Sequence, residues 1–157
     1  MITFDHDQKR FNYRTVAVIL HNDQVLLHRA ETDPFWSLPG GRVELLEPAG
    51  VALRREVQEE LGLDCRVERL LWVVENFFEY ADKACHELAL YFLISLENGN
   101  ELYAQAQPFE GREGHVRLIF KWHPLASLGE ILLYPSFLKE ALLLLPEAPQ
   151  YIVHRDE

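Results

Sequence analysis

Glu56, Glu59 and Glu60 crowd the stretch REVQEELG, residues 55–62, next to Arg55. On a helix turning about 100° per residue, the three carboxylates share an arc of about 100°. Leu53, Val57 and Leu61 recur at four-residue intervals and fall directly beside that arc. The acids therefore border the face meant for a core. Like charges at i,i+3 and i,i+4 cost about 0.2–0.5 kcal/mol per pair, and partial desolvation adds to the penalty. Arg55, four residues before Glu59, relieves only part of it. A hard divalent cation relieves the rest: Mg2+ prefers oxygen ligands and keeps several waters, which a phosphate can replace. On these residues alone, the plainer alternative is an acidic, solvated helix face with Arg55 as an ordinary ion-pair partner.

Positioning such a cluster requires a helix with defined ends. Pro48 suits a first helical position and Gly62 a left-handed terminus, so the pattern predicts a helix over Pro48–Leu61. Upstream, TVAVIL (Thr15–Leu20) reads as a buried strand, His21-Asn22-Asp23 as a turn and Gln24–His28 as a second strand. A loop with Pro34 and Trp36 leads to Pro39-Gly40-Gly41. Downstream, Arg66–Asn76 and Glu87–Leu96 read as long strands joined by a polar connection around Ala81–Ala84. Asn98-Gly99-Asn100 is a turn, residues 107–114 a loop, His115–Trp122 a strand and Ser136–Leu145 a second helix. Strands interleaved with two helices indicate an α/β or α+β sandwich of mixed strand order.

The 157 residues fit one domain spanning 1–157, with 48% hydrophobic and 25% charged residues. A formal charge of −10 disfavours nucleic acid and anionic membranes as partners. A polyanionic substrate then needs cations supplied locally. Cys65 and Cys85 form no C-x-x-C unit and read as reduced thiols of a cytoplasmic protein. The N-terminus MITFDHDQKR lacks an apolar leader, and no run is long enough to span a bilayer.

The wider spacing is specific. Gly41, Glu47, Arg55, Glu56, Val57, Glu59, Glu60, Gly62 and Leu63 fit G-x5-E-x7-R-E-U-x-E-E-x-G-U, where U is a bulky aliphatic. This pattern resembles the Nudix box at every defining position, and WSLPGGRVE (Trp36–Glu44) looks like the family's entry to it. Chance agreement is expected on the order of once per 10⁹ positions. The resemblance implies an α/β fold, an α/β/α sandwich with a mixed β-sheet and a loop–helix–loop metal site. It also implies hydrolysis of a pyrophosphate bond in a nucleoside diphosphate linked to another moiety, by water attack on phosphorus. Glu56, Glu59 and Glu60 would hold Mg2+, with Mn2+ as a substitute, and the Gly40 carbonyl would add a ligand. Glu47 and Arg55 would orient the acids through a salt bridge. Glu56 is the first choice for the base, a role that migrates among family members. Glu110 and Glu113 are further candidate acids. A homodimer is expected, as is frequent in the family. Leu46 departs from the pattern, standing where many relatives carry glycine.

Arg42 is a candidate for a substrate phosphate, with Arg29 and Arg14 behind it; surface arginines are the plain alternative. Trp36, Phe77, Phe78 and Tyr80 are candidates for stacking on a base or for packing. The seven histidines show no metal spacing, His86 included. Tyr80 lies 17 residues after Leu63, where the family's dinucleoside polyphosphate hydrolases tend to carry tyrosine. No proline occupies the offset associated with ADP-ribose pyrophosphatases. Nucleoside triphosphates and nucleotide sugars remain equally open. The alternative from a different class is a non-catalytic Nudix-like module that binds a nucleotide to regulate a partner. Such modules commonly lose acidic box residues, and none is missing here.

Overall fold

The computed structural model describes residues 1–156. In chain order its strands are β1 (Thr3–His6), β2 (Lys9–His21), β3 (Gln24–Ala30), β4 (Gly40–Arg42), β5 (Cys65–Tyr80), β6 (Lys83–Leu96), β7 (Phe109–Glu113), β8 (Val116–Pro124) and β9 (Gln150–Arg155). The helices are α1 (Ala49–Leu61), α2 (Asn100–Tyr103) and α3 (Leu138–Ala141), with a 3₁₀ segment at Leu125–Glu130.

β2 is the spine. Val16 and Val18 face one side, Ala17 and Ile19 the other, and all four are buried. Apolar cover on both faces explains why this stretch reads as a continuous hydrophobic run. Asn22 and Asp23 both take positive φ, 50° and 60°, the turn geometry that matches strand twist in a two-residue hairpin. Ala81-Asp82 does the same between β5 and β6, with φ of 52° and 61°.

The sheet runs β7-β8-β3-β2-β6-β5-β9, with β1 and β4 attached to β2. β6 runs parallel to β2 from Lys9↔Ala84 to Ile19↔Ile94, whereas β5 and β6 are antiparallel. β2 and β3 pair only at Leu20↔Val25 and His21↔Gln24. Beyond that point they part, and β4 takes the vacated edge of β2 from Arg14↔Arg42 to Val16↔Gly40. The split lies at the level of the paired glycines.

On one face, Leu53 and Val57 of α1 pack with Ala17, Ile19, Leu26, Phe120 and Trp122. On the other, Val16, Val18, Trp72 and Tyr91 lie under Leu128, Leu133, Leu138 and Leu142. Each such side chain contributes about 1.5–3 kcal/mol on full burial. The expected mixed-sheet α/β/α layering is present. Among the described residues, no helix is long and apolar enough to cross a membrane.

Several expected boundaries need correction. The loop expected over 107–114 contains β7, antiparallel to β8. Phe109 stacks on Phe120 with ring centroids 5.5 Å apart, which anchors the strand, and Gly111 passes where a Cβ would meet Phe120 and the Glu60 carbonyl. The helix expected over Ser136–Leu145 contracts to α3, Leu138–Ala141. Only Leu138 and Leu142, one turn apart, are buried there, while Leu143 and Leu144 face outward. A segment bounded by Pro135 and Pro146 is too short to sustain further helix without packing. The strands expected at Arg66–Asn76 and Glu87–Leu96 extend to Tyr80 and start at Lys83, because the tight Ala81-Asp82 turn lets the ladder run to its end. The strand expected at His115–Trp122 begins at Val116 and runs to Pro124. Asn100 opens α2 directly after the expected turn.

Candidate active site

α1 holds the acids at fixed depth. Pro48, the expected first residue, precedes it in extended geometry, φ −62° and ψ 143°, so the helix starts one residue later than expected, at Ala49. Gly62 ends it at φ 70°, its N–H donating to the Gln58 carbonyl, as expected of a left-handed terminus. The three box glutamates are not equivalent. Glu56 is 8% exposed and Glu60 6%, while Glu59 lies out at the surface.

Arg55 organises the outer half of this edge. Its Nε and Nη2 donate to the two oxygens of Glu47 at 3.0 and 2.9 Å, a forked pair. Nη1 donates to Glu56 Oε1 at 2.8 Å and to Glu59 at 3.5 Å, and Nη2 also reaches the Arg42 carbonyl at 3.2 Å. The guanidinium holds the Glu47 carboxyl below its usual range, and Glu47 in turn raises Arg55. The salt bridge that the resemblance implies between Glu47 and Arg55 is present. Burial pushes Glu56 up, with Arg55 opposing.

Glu60 has no such partner. Both of its oxygens are buried and unbonded. Burial pushes its carboxyl up to about 9, with the charges of Glu113 and Glu56 adding to the effect. A buried carboxylate without a donor is costly unless a positive charge meets it. That chemistry fits a cation. Among the described residues, however, no three acidic, histidine or cysteine side chains close around one point tightly enough to hold it unaided. Glu59 points outward and Arg55 claims an oxygen of Glu56. Backbone oxygens, waters and substrate phosphates must complete any shell.

The paired glycines shape the approach. A Cβ on Gly41 would fall within the Glu56 carboxylate, and one on Gly40 would strike the Thr15 carbonyl. The flanking Pro39 carbonyl accepts from Ala17 N–H of β2. Alternation along the strand therefore turns the Gly40 carbonyl away from β2. Leu46 sits at φ 65°, fully exposed, in the left-handed backbone geometry that glycine adopts without strain.

The other candidates separate. Glu113 lies near enough that its charge raises Glu56 and Glu60. Glu110 pairs instead with Arg117, which also holds Glu31. Arg29 donates to the carbonyls of Glu31 and Asp33 and stacks 5.4 Å over Trp36, clasping the loop. Arg42 reaches the Met1 sulfur and acts on Glu87. Trp36 packs into the core, and Phe77 stacks on His86 with Arg155 above it. His86 bonds Glu75. Tyr80 is half-exposed and meets Phe35 edge-on.

Sequence reasoning ranked Arg14 low and missed Glu87, Asn76 and His28. Arg14 Nε is buried and unpartnered, and the charges of Glu87, Glu113 and Glu60 act on it. Glu87 and Asn76 are buried in neighbouring strands. Burial depresses His28 to about 3, so it stays neutral. Alternation carried the signal: Arg14 shares a face with Val16 and Val18, Asn76 with Val74 and Trp72, Glu87 with Ala89 and Tyr91.

The NUDIX domain model matches residues 12–145. Agl8 of Haloferax volcanii, a low-salt glycan biosynthesis protein, is 33% identical over 114 residues, 63% of this chain and 73% of that one. The human 8-oxo-dGDP phosphatase NUDT18 is 44% identical over 73 residues, 44% of this chain and 23% of that one. The crystal structure of a MutT NUDIX hydrolase from Burkholderia pseudomallei superposes with a TM-score of 0.59 at 28% identity, covering 82% of this chain and 95% of that one. The chain thus spans most of the first relative and less than a quarter of the second. With a match running from β2 past α3 around an intact acid-bearing helix, the chain belongs to the NUDIX hydrolase family.

Proposed function

We propose that the chain hydrolyses a phosphoanhydride bond in a nucleoside diphosphate linked to a further group, by attack of water on phosphorus. The observation that carries this reading is the buried Glu60 carboxylate, both oxygens unpartnered, beside Glu56. Glu56, Glu59, Glu60 and the Gly40 carbonyl would hold Mg2+, or Mn2+ in its place. When bound, the ion would supply positive charge against the pyrophosphate oxygens and acidify a water.

The chain's own residues do the remainder. Glu47 fixes Arg55, and Arg55 fixes one oxygen of Glu56. Burial raises the proton affinity of Glu56, which suits it to accept the proton of the attacking water. Gly41 lets backbone and carboxylate approach closely. Arg42, on β4 directly after the paired glycines, brings positive charge to an acidic protein beside the acid-bearing helix, where it would meet a substrate phosphate. The relatives differ in role, one a glycan biosynthesis protein and one a phosphatase of 8-oxo-dGDP. The reading therefore stops at the nucleotide class.

A panel of nucleoside triphosphates, dinucleoside polyphosphates and nucleotide sugars, assayed with Mg2+ and Mn2+, tests it. Cleavage in ¹⁸O-water should label one phosphate product, and Glu59→Gln should suppress turnover. Tight nucleotide binding without cleavage by the wild type overturns hydrolysis in favour of a binding module.

A further inference from the structure

Among the described residues, five buried side-chain nitrogen and oxygen atoms lack a hydrogen-bond partner: both oxygens of Glu60, Arg14 Nε, His28 Nδ1 and Asn76 Oδ1. Orphaned buried polar atoms are rare because each forfeits about 1–3 kcal/mol. Here they are not scattered. The charge of Arg14 acts on Glu60, on His28 and on Glu87. Glu87 stands directly opposite Asn76 in the β5–β6 ladder. The charge of Arg14 thus links the acid helix to Glu87, and backbone register sets Glu87 beside Asn76. The acid-helix end is accounted for by the proposed hydrolysis; the far end is not.

At that far end three strands contribute one polar row. Asn12 pairs in register with Glu87, and Glu87 with Asn76. All three side chains are buried, on the face opposite α1. Asn12 Oδ1 already accepts from the Thr3 hydroxyl at 2.7 Å. Asn76, 5% exposed, has an unused Oδ1 acceptor, and only burial and the charges of Arg14 and Arg42 act on the Glu87 carboxyl. Arg14, one row along on the same face, has an unused Nε donor. The unused groups read in sequence as donor, acceptor, acceptor. Two residues further along the Asn76 face stand Phe78 and then Tyr80, with Phe35 edge-on to Tyr80 at 6.3 Å. These rings suit a flat heteroaromatic partner.

We propose that Arg14, Glu87 and Asn76 form a base-reading floor for a ring edge that presents carbonyl oxygen, ring N–H and exocyclic amine in that order, the edge of a guanine-type base. Arg14 donates to the carbonyl, Glu87 accepts from the ring N–H and Asn76 accepts from the amine. The assignment rests on the proposed nucleotide reading and names its substrate class. An adenine edge places a donor where Arg14 also donates. A hypoxanthine edge satisfies Arg14 and Glu87 but leaves Asn76 unpaired.

Calorimetric binding of the mononucleotides GMP, IMP and AMP to the full chain tests this without requiring turnover, so its failure is distinct from failure of the hydrolysis assay. A site built to pair such groups rejects an analogue lacking them by a large factor. GMP should bind on the order of 100-fold tighter than AMP, with IMP between them. Asn76→Ala, checked for an unchanged melting temperature, should abolish the GMP-over-IMP difference and leave IMP affinity unchanged. Glu87→Gln should cost GMP more than AMP. Equal affinity for the three nucleotides, or no measurable binding of any, overturns the assignment, as does an Asn76→Ala variant that keeps the wild-type preference for GMP.

Discussion

Within two turns of α1, two glutamates meet opposite environments. Glu56 lies beside Arg55, whose guanidinium also grips Glu47 in a forked pair, so charge there is matched inside the fold. Glu60, four residues on, is equally buried, and neither of its oxygens has a hydrogen-bond partner. The first arrangement is what a fold does to stabilise buried charge; the second costs the fold and gains nothing until a cation arrives. Under the proposed hydrolysis, the unmatched residue is the one left for a cation, and the matched one has an oxygen held in place beside it.

The contrast is broken most strongly at Glu60. Glu60→Gln keeps the shape and removes the charge, and turnover should fall on the order of 10²–10⁴-fold. The same variant should be more stable than wild type in the absence of metal. The Glu60 carboxyl is raised from 4.5 to about 9 in the fold, so the native state binds the proton more tightly than the unfolded chain. Wild-type stability therefore declines as pH rises from about 4.5 towards 9, and the substitution removes that decline. The gain should reach ~3 kcal/mol near pH 7 and vanish near pH 4.5, read from denaturant melts.

Gly41→Ala attacks the matched side. Its Cβ displaces the Glu56 carboxylate from Arg55, and overpacking of this kind costs about 1–3 kcal/mol. Turnover should drop about tenfold or more, with a higher Mg2+ concentration at half-maximal activity. Glu113→Gln and Glu110→Gln sharpen the assignment of the extra acid. The first should weaken the Mg2+ dependence several-fold, because Glu113 acts on Glu60. The second, held by Arg117, should leave kinetics unchanged. Leu46→Gly should have the smallest effect: a left-handed residue is relieved of about 1 kcal/mol of strain, raising Tm without altering kcat.

The helix and its left-handed glycine end were legible because they depend on local spacing along one element, whereas the Glu47–Arg55 pair, which joins a loop to the helix, followed only from the resemblance to the Nudix box. The Asn22-Asp23 turn was legible for the same reason. β7 was not: FEGRE lacks a run of β-branched residues, and its strand state comes from Phe109 on Phe120 and from Gly111 against α1. The second helix was overextended because LLLL after Ala141 looks helical, whereas only one turn finds a buried face. The separation of Glu59 from Glu60 follows from which side of α1 faces β7, which periodicity narrows only to an arc. The polar set of Glu87 and Asn76 in one row and Arg14 in the next was within reach. Each is polar at a position where alternation points inward, but their meeting across strands is set by register, which no single segment carries.

Thermal melting of the metal-free wild type from pH 5 to 9, with and without millimolar Mg2+ or Mn2+, bears most directly on the claim that Glu60 awaits a cation. Melting temperature should fall with rising pH when metal is absent, recover when metal is added, and show a weaker metal response in Glu60→Gln. A wild-type melting temperature that neither ion moves at any of these pH values contradicts the account.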